Sequence, residues 1–169
     1  ALSAELVEVS KGCFFCGPGA RQQEQGQSFD WLRTSGSREQ GNRVMAGKFF
    51  DQWQGGGRIT HQPSRTVTET DNLMFSAMTH NMQPLHLDAE AAKASEFGQI
   101  LVNSTFTFSL AVGLSVGDTT VGSLVANLGF DKVVTPKPVF IGDPLTCHSE
   151  VVEKRESKSR PGQGIVVFR

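Results

Sequence analysis

The stretch NSTFTFSLAVGL, residues 103–114, decides the fold. Phe106, Leu110, Ala111 and Leu114 recur at helical spacing, and Phe108 and Val112 widen their stripe. A helix apolar on so many sides is expected to be largely buried, with Asn103 and Ser104 at its start. After Gly117-Asp118 the pattern changes to β-rich runs at 121–128, 133–134, 139–141, 146–155 and 164–168, divided by Pro and Gly turns. One buried helix followed by antiparallel strands predicts an α+β fold.

Upstream, residues 65–69 alternate Thr and Val and predict a short strand leading to a helix capped by Asp71. Leu73, Met74, Ala77 and Met78 place apolar atoms at helical spacing. Pro84 lacks a backbone donor and pushes Gln83 out of the helical region, so this helix should end about there. Asn81, Gln83 and His86 then gather three hydrogen-bonding side chains at an element boundary. Asp88 suits the N-cap of the alanine-rich run after it, and Gly98 its stop.

A chain of 169 residues with 38% hydrophobic content suits one domain with one core. The formal charge of -1 argues against a nucleic-acid binder driven by bulk electrostatics. No apolar run is long enough to span a membrane, and the first residues do not read as a secretory signal. Cys13, Cys16 and Cys147 cannot all pair, so a reducing interior is expected, either cytoplasm or an organelle. Cys13 and Cys16 have the spacing of half a zinc site or a redox pair, but no second Cys/His pair lies nearby, and no metal is expected. Residues 17–43 are rich in Gly, Gln, Ser and Arg and too poor in large apolar groups to offset the entropy of ordering them. Residues 1–45 are therefore read as a flexible extension and 46–169 as the domain. A chain opening without Met is expected of a processed or excised fragment.

The segment HNMQPLHLD, residues 80–88, resembles the signature of the MaoC-like (R)-specific enoyl-CoA hydratases, roughly Gly-Asp-x-Asn-Pro-apolar-His before an acidic helix start. His86 and Pro84 match, whereas Asn81 and Gln83 occupy the family's Asp and Asn places. An amide at the first of these is similar to the branch acting on mesaconyl-CoA and methylmalyl-CoA. Residues 97–104, FGQILVNS, resemble the family's segment ending in His-Gly, and residues 137–143 and 154–161 also look like that branch. The resemblance covers about residues 47–169 and implies a hot-dog fold, a curled sheet wrapped around a central helix. It further implies an acyl-CoA substrate, no cofactor apart from the coenzyme A of that substrate, and a homodimer or larger homo-oligomer. The family normally continues with another strand, so the chain is expected either to be truncated after Arg169 or to lack its final edge.

Hydrating an α,β-unsaturated thioester needs a base for water, an acid for the α-carbon and donors for the enolate-like oxygen. Asn81 cannot take a proton, which leaves His86 as the titratable group at the signature. An imidazole, with a reference pKa of about 6.5, can work in both directions near neutral pH. Asn81 would position the water, with Gln83 a second candidate; the alternative is that His86 merely satisfies a loop carbonyl. Amides near Asn103 and Ser104 could hold the thioester oxygen, although both residues also serve as plain N-caps. Arg155, Lys158 and Arg160 could meet CoA phosphates or an acyl carboxylate, or could be a solvated charged hairpin. His61, His80 and His148 are read as surface or packing residues. The competing functions are a non-catalytic acyl-CoA-binding protein and a thioesterase, the latter normally needing a carboxylate to activate water.

Overall fold

Backbone pairing places strands from both ends of the sequence side by side. The computed structural model describes residues 8–16 and 47–169. In chain order the elements are β1 (Glu8–Cys16), β2 (Arg58–Thr60), β3 (Arg65–Thr66), α1 (Glu69–Met78), α2 (Pro84–Leu87), α3 (Ala89–Lys93), α4 (Ser104–Thr119), β4 (Leu124–Val134), β5 (Pro144–Leu145), β6 (His148–Glu156) and β7 (Gly164–Phe168). Five strands form an antiparallel sheet in the order β2-β6-β7-β1-β4, and β3 pairs with β5 alone. The expected α+β arrangement is present.

One expectation about the N-terminal region changes. Residues 8–16 are no loose extension but an interior strand, laddered to β4 on one side and β7 on the other. The polar composition of 17–43 says nothing about the run before it, where two backbone ladders offset the cost of ordering. The rest of the expected extension, residues 1–7 and 17–45, lies outside the described residues. Strand β7 lies between β6 and β1, and all five of its residues are buried.

The core has two centres. Cys16, Trp53, Val151, Val166 and Phe168 form one, with Phe50 and Ile59 against it. Trp53 meets Phe168 edge-on at 4.9 Å between centroids and donates its indole N–H to the Lys48 carbonyl at 3.2 Å. Gly164 permits this packing, because a Cβ there would fall 2.0 Å from the Phe50 ring. Of the Cys13/Cys16 pair, Cys16 is thus a packed core thiol, and burial raises its pKa against the lowering effect of Trp53. The second centre joins Val67, Val102, Val139 and Leu145, with Phe106 and Leu110 of α4 leaning on it.

Helix α4 begins where the sequence places it but runs on to Thr119, and its cover is thinner than expected. Thr107 and Thr119 are its buried residues, while Phe106 and Leu110 are half-buried. Phe108 reaches the sheet through an edge-on contact with Phe130 at 4.8 Å. Helix α1 is turned relative to the apolar reading. Leu73, Met74 and Met78 are exposed, whereas Asn72 and Ser76 are the buried residues. Thr68, not Asp71, is the N-cap of α1; Asp71 closes the capping box by accepting from the Thr68 amide at 2.9 Å. The runs at 121–128 and 133–134 merge into β4, and residues 139–141 contribute only an isolated bridge from Phe140 to Leu101.

Candidate active site

Pro84 acts differently from the expectation drawn from sequence. Helix α1 ends at Met78, before the proline, because His80 adopts a left-handed backbone with φ of 57°. The Asn81 amide then folds back onto the Ser76 carbonyl at 2.9 Å. Pro84 instead opens α2, where its fixed φ and missing donor cost nothing, after an extended Gln83. His86 is carried on this single turn.

Two bonds fasten that turn to Leu101. The Leu101 amide donates to the Leu85 carbonyl at 3.1 Å, and His86 Nδ1 lies 2.7 Å from the Leu101 carbonyl oxygen. A carbonyl can only accept, so Nδ1 carries the hydrogen and the neutral ring keeps its lone pair on Nε2. No described residue hydrogen-bonds to Nε2. The loop-carbonyl alternative for His86 is therefore half realised, and it leaves the other nitrogen with a lone pair to use.

Leu101 and Ser104 also line a cavity of about 310 Å³, together with Val102 and Val139 from the second core centre, Thr107 of α4 and the 135–138 loop. Among the described residues, Lys137 is the one charged group on its wall. The imidazole thus hangs from a residue of the cavity wall, beside the N-terminus of α4.

The remaining sequence candidates divide. Asn81 is half-buried, and its Oδ1 accepts from the Gln83 amide at 3.3 Å in a local turn, leaving its NH2 group as the part for other work. Gln83 is exposed. Asn103, buried to 1% exposure, is engaged with its own surroundings through its side-chain oxygen, its side-chain nitrogen and its backbone amide. Its Oδ1 caps α4 by accepting from the Thr105 amide (3.0 Å) and hydroxyl (2.6 Å). Its Nδ2 meets Ser76 Oγ at 3.3 Å, and its own amide donates to Asn72 Oδ1 at 2.9 Å. The N-cap alternative holds for Asn103, and the Ser104 amide becomes the candidate donor at this helix end. Arg155 pairs with Glu153 at 3.2 Å near the end of β6, and neither it nor Lys158 or Arg160 lines the cavity.

Sequence reasoning misses Asn72 and Lys137. Asn72 lies between apolar residues whose spacing marks the opposite face as the buried one. Lys137 enters only as part of a resembling segment.

Residues 53–166 match the MaoC like domain. The chain belongs to the MaoC-like domain family. Among curated MaoC-related proteins it is similar to mesaconyl-CoA hydratase of Haloarcula marismortui, 29% identical over 89% of this chain and 40% of that one. It is also similar to mesaconyl-CoA hydratase of Cereibacter sphaeroides, 32% identical over 75% of this chain and 36% of that one. It therefore spans well under half the length of these relatives. Among solved structures, a monoamine oxidase regulatory protein from Archaeoglobus superposes with a TM-score of 0.62 at 29% identity, covering 74% of this chain and 95% of that one. The (R)-hydratase of A. caviae superposes with a TM-score of 0.52 at 24% identity, covering 70% and 97%. The fold of this MaoC-like domain is the hot-dog fold.

Proposed function

We propose that this domain supplies the acid/base half of an enoyl-CoA hydratase/dehydratase. The observation carrying the proposal is the fixed tautomer of His86, whose Nδ1–H is spent on Leu101 while the Nε2 lone pair is left for substrate water. Water held by the Asn81 amide gives a proton to Nε2 as its oxygen bonds to the β-carbon of the enoyl thioester. Electron density moves to the thioester oxygen, which takes a hydrogen bond from the Ser104 amide at the positive end of α4. The imidazolium then returns its proton from Nε2 to the α-carbon on the same face, so the ring ends as it began. Dehydration is the same path reversed. The thioester carries its own activation, and no step calls for a further cofactor.

The finer reading is an acyl group that is short, branched or dicarboxylic, of the mesaconyl-CoA or methylmalyl-CoA type. The relatives' names support it, as does Lys137, a cation on an otherwise uncharged cavity wall that suits a second carboxylate. Assembly with another copy is part of the proposal. The outer strand β4 leaves Leu124, Val125, Leu128 and Val133 exposed among the described residues, the kind of surface a partner covers.

The test is spectrophotometric hydration of crotonyl-CoA and mesaconyl-CoA by the unmodified protein, His86→Ala and Asn81→Asp. Turnover lost in His86→Ala supports the mechanism. Full activity in that variant refutes it, and binding without turnover in the unmodified protein points to a non-catalytic acyl-CoA carrier. Loss of activity in Asn81→Asp marks the amide as a specific adaptation, and a gain on crotonyl-CoA marks it as the change that narrowed the substrate range.

A further inference from the structure

Asn72 touches both the acid/base turn and the oxyanion end of α4 without facing substrate. It is wholly buried on α1. Its Nδ2 donates to the His86 carbonyl at 2.8 Å, and its Oδ1 accepts from the Asn103 amide at 2.9 Å. One carboxamide thus spans the turn that carries the imidazole and the residue that caps α4. The Ser104 amide is the next peptide group along the chain. Ser76, one turn further on α1, ties the Asn103 side chain to the same helix.

We propose that Asn72 is a positioning residue that sets the spacing between the His86 ring and the Ser104 amide. This rests on the roles of those two groups in the proposed hydration. A buried carboxamide must keep both its donor and its acceptor satisfied, so a shift of either partner strands a polar group away from water. Both bonds go to backbone atoms, so they fix where α2 and the start of α4 lie relative to each other. Proton transfer and oxyanion binding act on neighbouring atoms of one thioester, where a misplacement of about 1 Å can cost ~100-fold in rate.

The experiment compares Asn72→Leu and Asn72→Asp in the full chain, each alone and combined with His86→Ala. Asn72→Asp keeps the acceptor for Asn103 and removes the donor to His86, which guards against a Leu variant that fails to fold. The expected result is a kcat loss of ~30–100-fold with KM changed by less than ~3-fold, and almost no further loss in the His86→Ala background. Losses that multiply with His86→Ala, or a kcat near that of the unmodified protein, overturn the proposal. Nitrogen NMR of the His86 ring supplies a readout independent of turnover. Asn72→Asp should turn the single Nδ1–H tautomer into a mixture, and an unchanged ring overturns the proposal. If the unmodified protein hydrates neither thioester, the hydratase reading fails by itself, while the ring tautomer still decides the role of Asn72.

Discussion

His61 and His86 are both held through ring nitrogens, and the count of nitrogens in use separates them. The His61 side chain is fully buried, with Nδ1 3.2 Å from Asp118 Oδ2 and Nε2 2.9 Å from Ser149 Oγ. It joins the loop after β2, the last turn of α4 and strand β6. With the ring hydrogen on Nδ1, the carboxylate accepts from it and the serine hydroxyl donates to Nε2, so no lone pair remains free. His86 is half-buried, with one nitrogen pinned and the other open. Saturation of the ring, more than its burial, distinguishes an imidazole that fastens elements from one that can move a proton.

The sharpest test of that contrast is to remove each ring in turn. His86→Ala should lower kcat for hydration by at least ~100-fold, the usual contribution of a general acid/base, with little change in urea unfolding. His61→Ala should do the reverse. It leaves a cavity and removes the ring that ties Asp118 to Ser149, costing roughly 2–4 kcal/mol in urea unfolding while kcat per folded molecule stays within ~3-fold. Large activity loss in His61→Ala with stability retained would erase the distinction.

A smaller effect separates the two regions by acid. Burial pushes Asp71 upward, but hydrogen bonds from the Thr68 amide and hydroxyl and from Arg65 outweigh it, so its pKa is lowered. A carboxyl depressed in the folded state stabilises above its unfolded value, about 3.9, and loses that contribution as pH falls through the folded value. Asp71→Asn should therefore weaken the α1 cap, and with it the platform beneath His86, at pH 7. The difference from the unmodified protein should vanish in strong acid. Thr68→Ala, which removes the other half of the capping box, should cost ~1 kcal/mol by denaturant unfolding. The smallest effect concerns Cys147, whose Sγ donates to the Ala111 carbonyl at 3.3 Å beneath α4. Burial raises its pKa to about 11, so alkylation of the folded protein should stay slow through neutral pH and quicken only as that value is approached.

Local patterns make some of this legible in the sequence. The start of α4 and the span of β7 derive from apolar spacing within a few residues, whereas the prominence of His86 comes from the proline before it together with the resemblance of residues 80–88 to the family signature. His61 offers no comparable signal, since Asp118 and Ser149 lie 57 and 88 residues away and only the folded sheet brings them in. Asn72 is concealed by a real apolar stripe: Leu73, Met74 and Met78 do share a face, but that face is exposed and the polar one is buried. Residues 8–16 are obscured by the polar composition of the neighbouring 17–43 run, and the slot they fill is visible only once β4 and β7 stand apart.

That slot has a bearing on how the chain reaches its fold. Gly12 registers with both Phe130 and Phe168, so the sheet closes through loops of more than a hundred residues. Contacts so remote are slow to form, and until they do, β4 and β7 each present an unsatisfied flank. Until β1 docks, those flanks are open to strands of other chains, so a break in the chain near residue 8 should show first as aggregation during refolding.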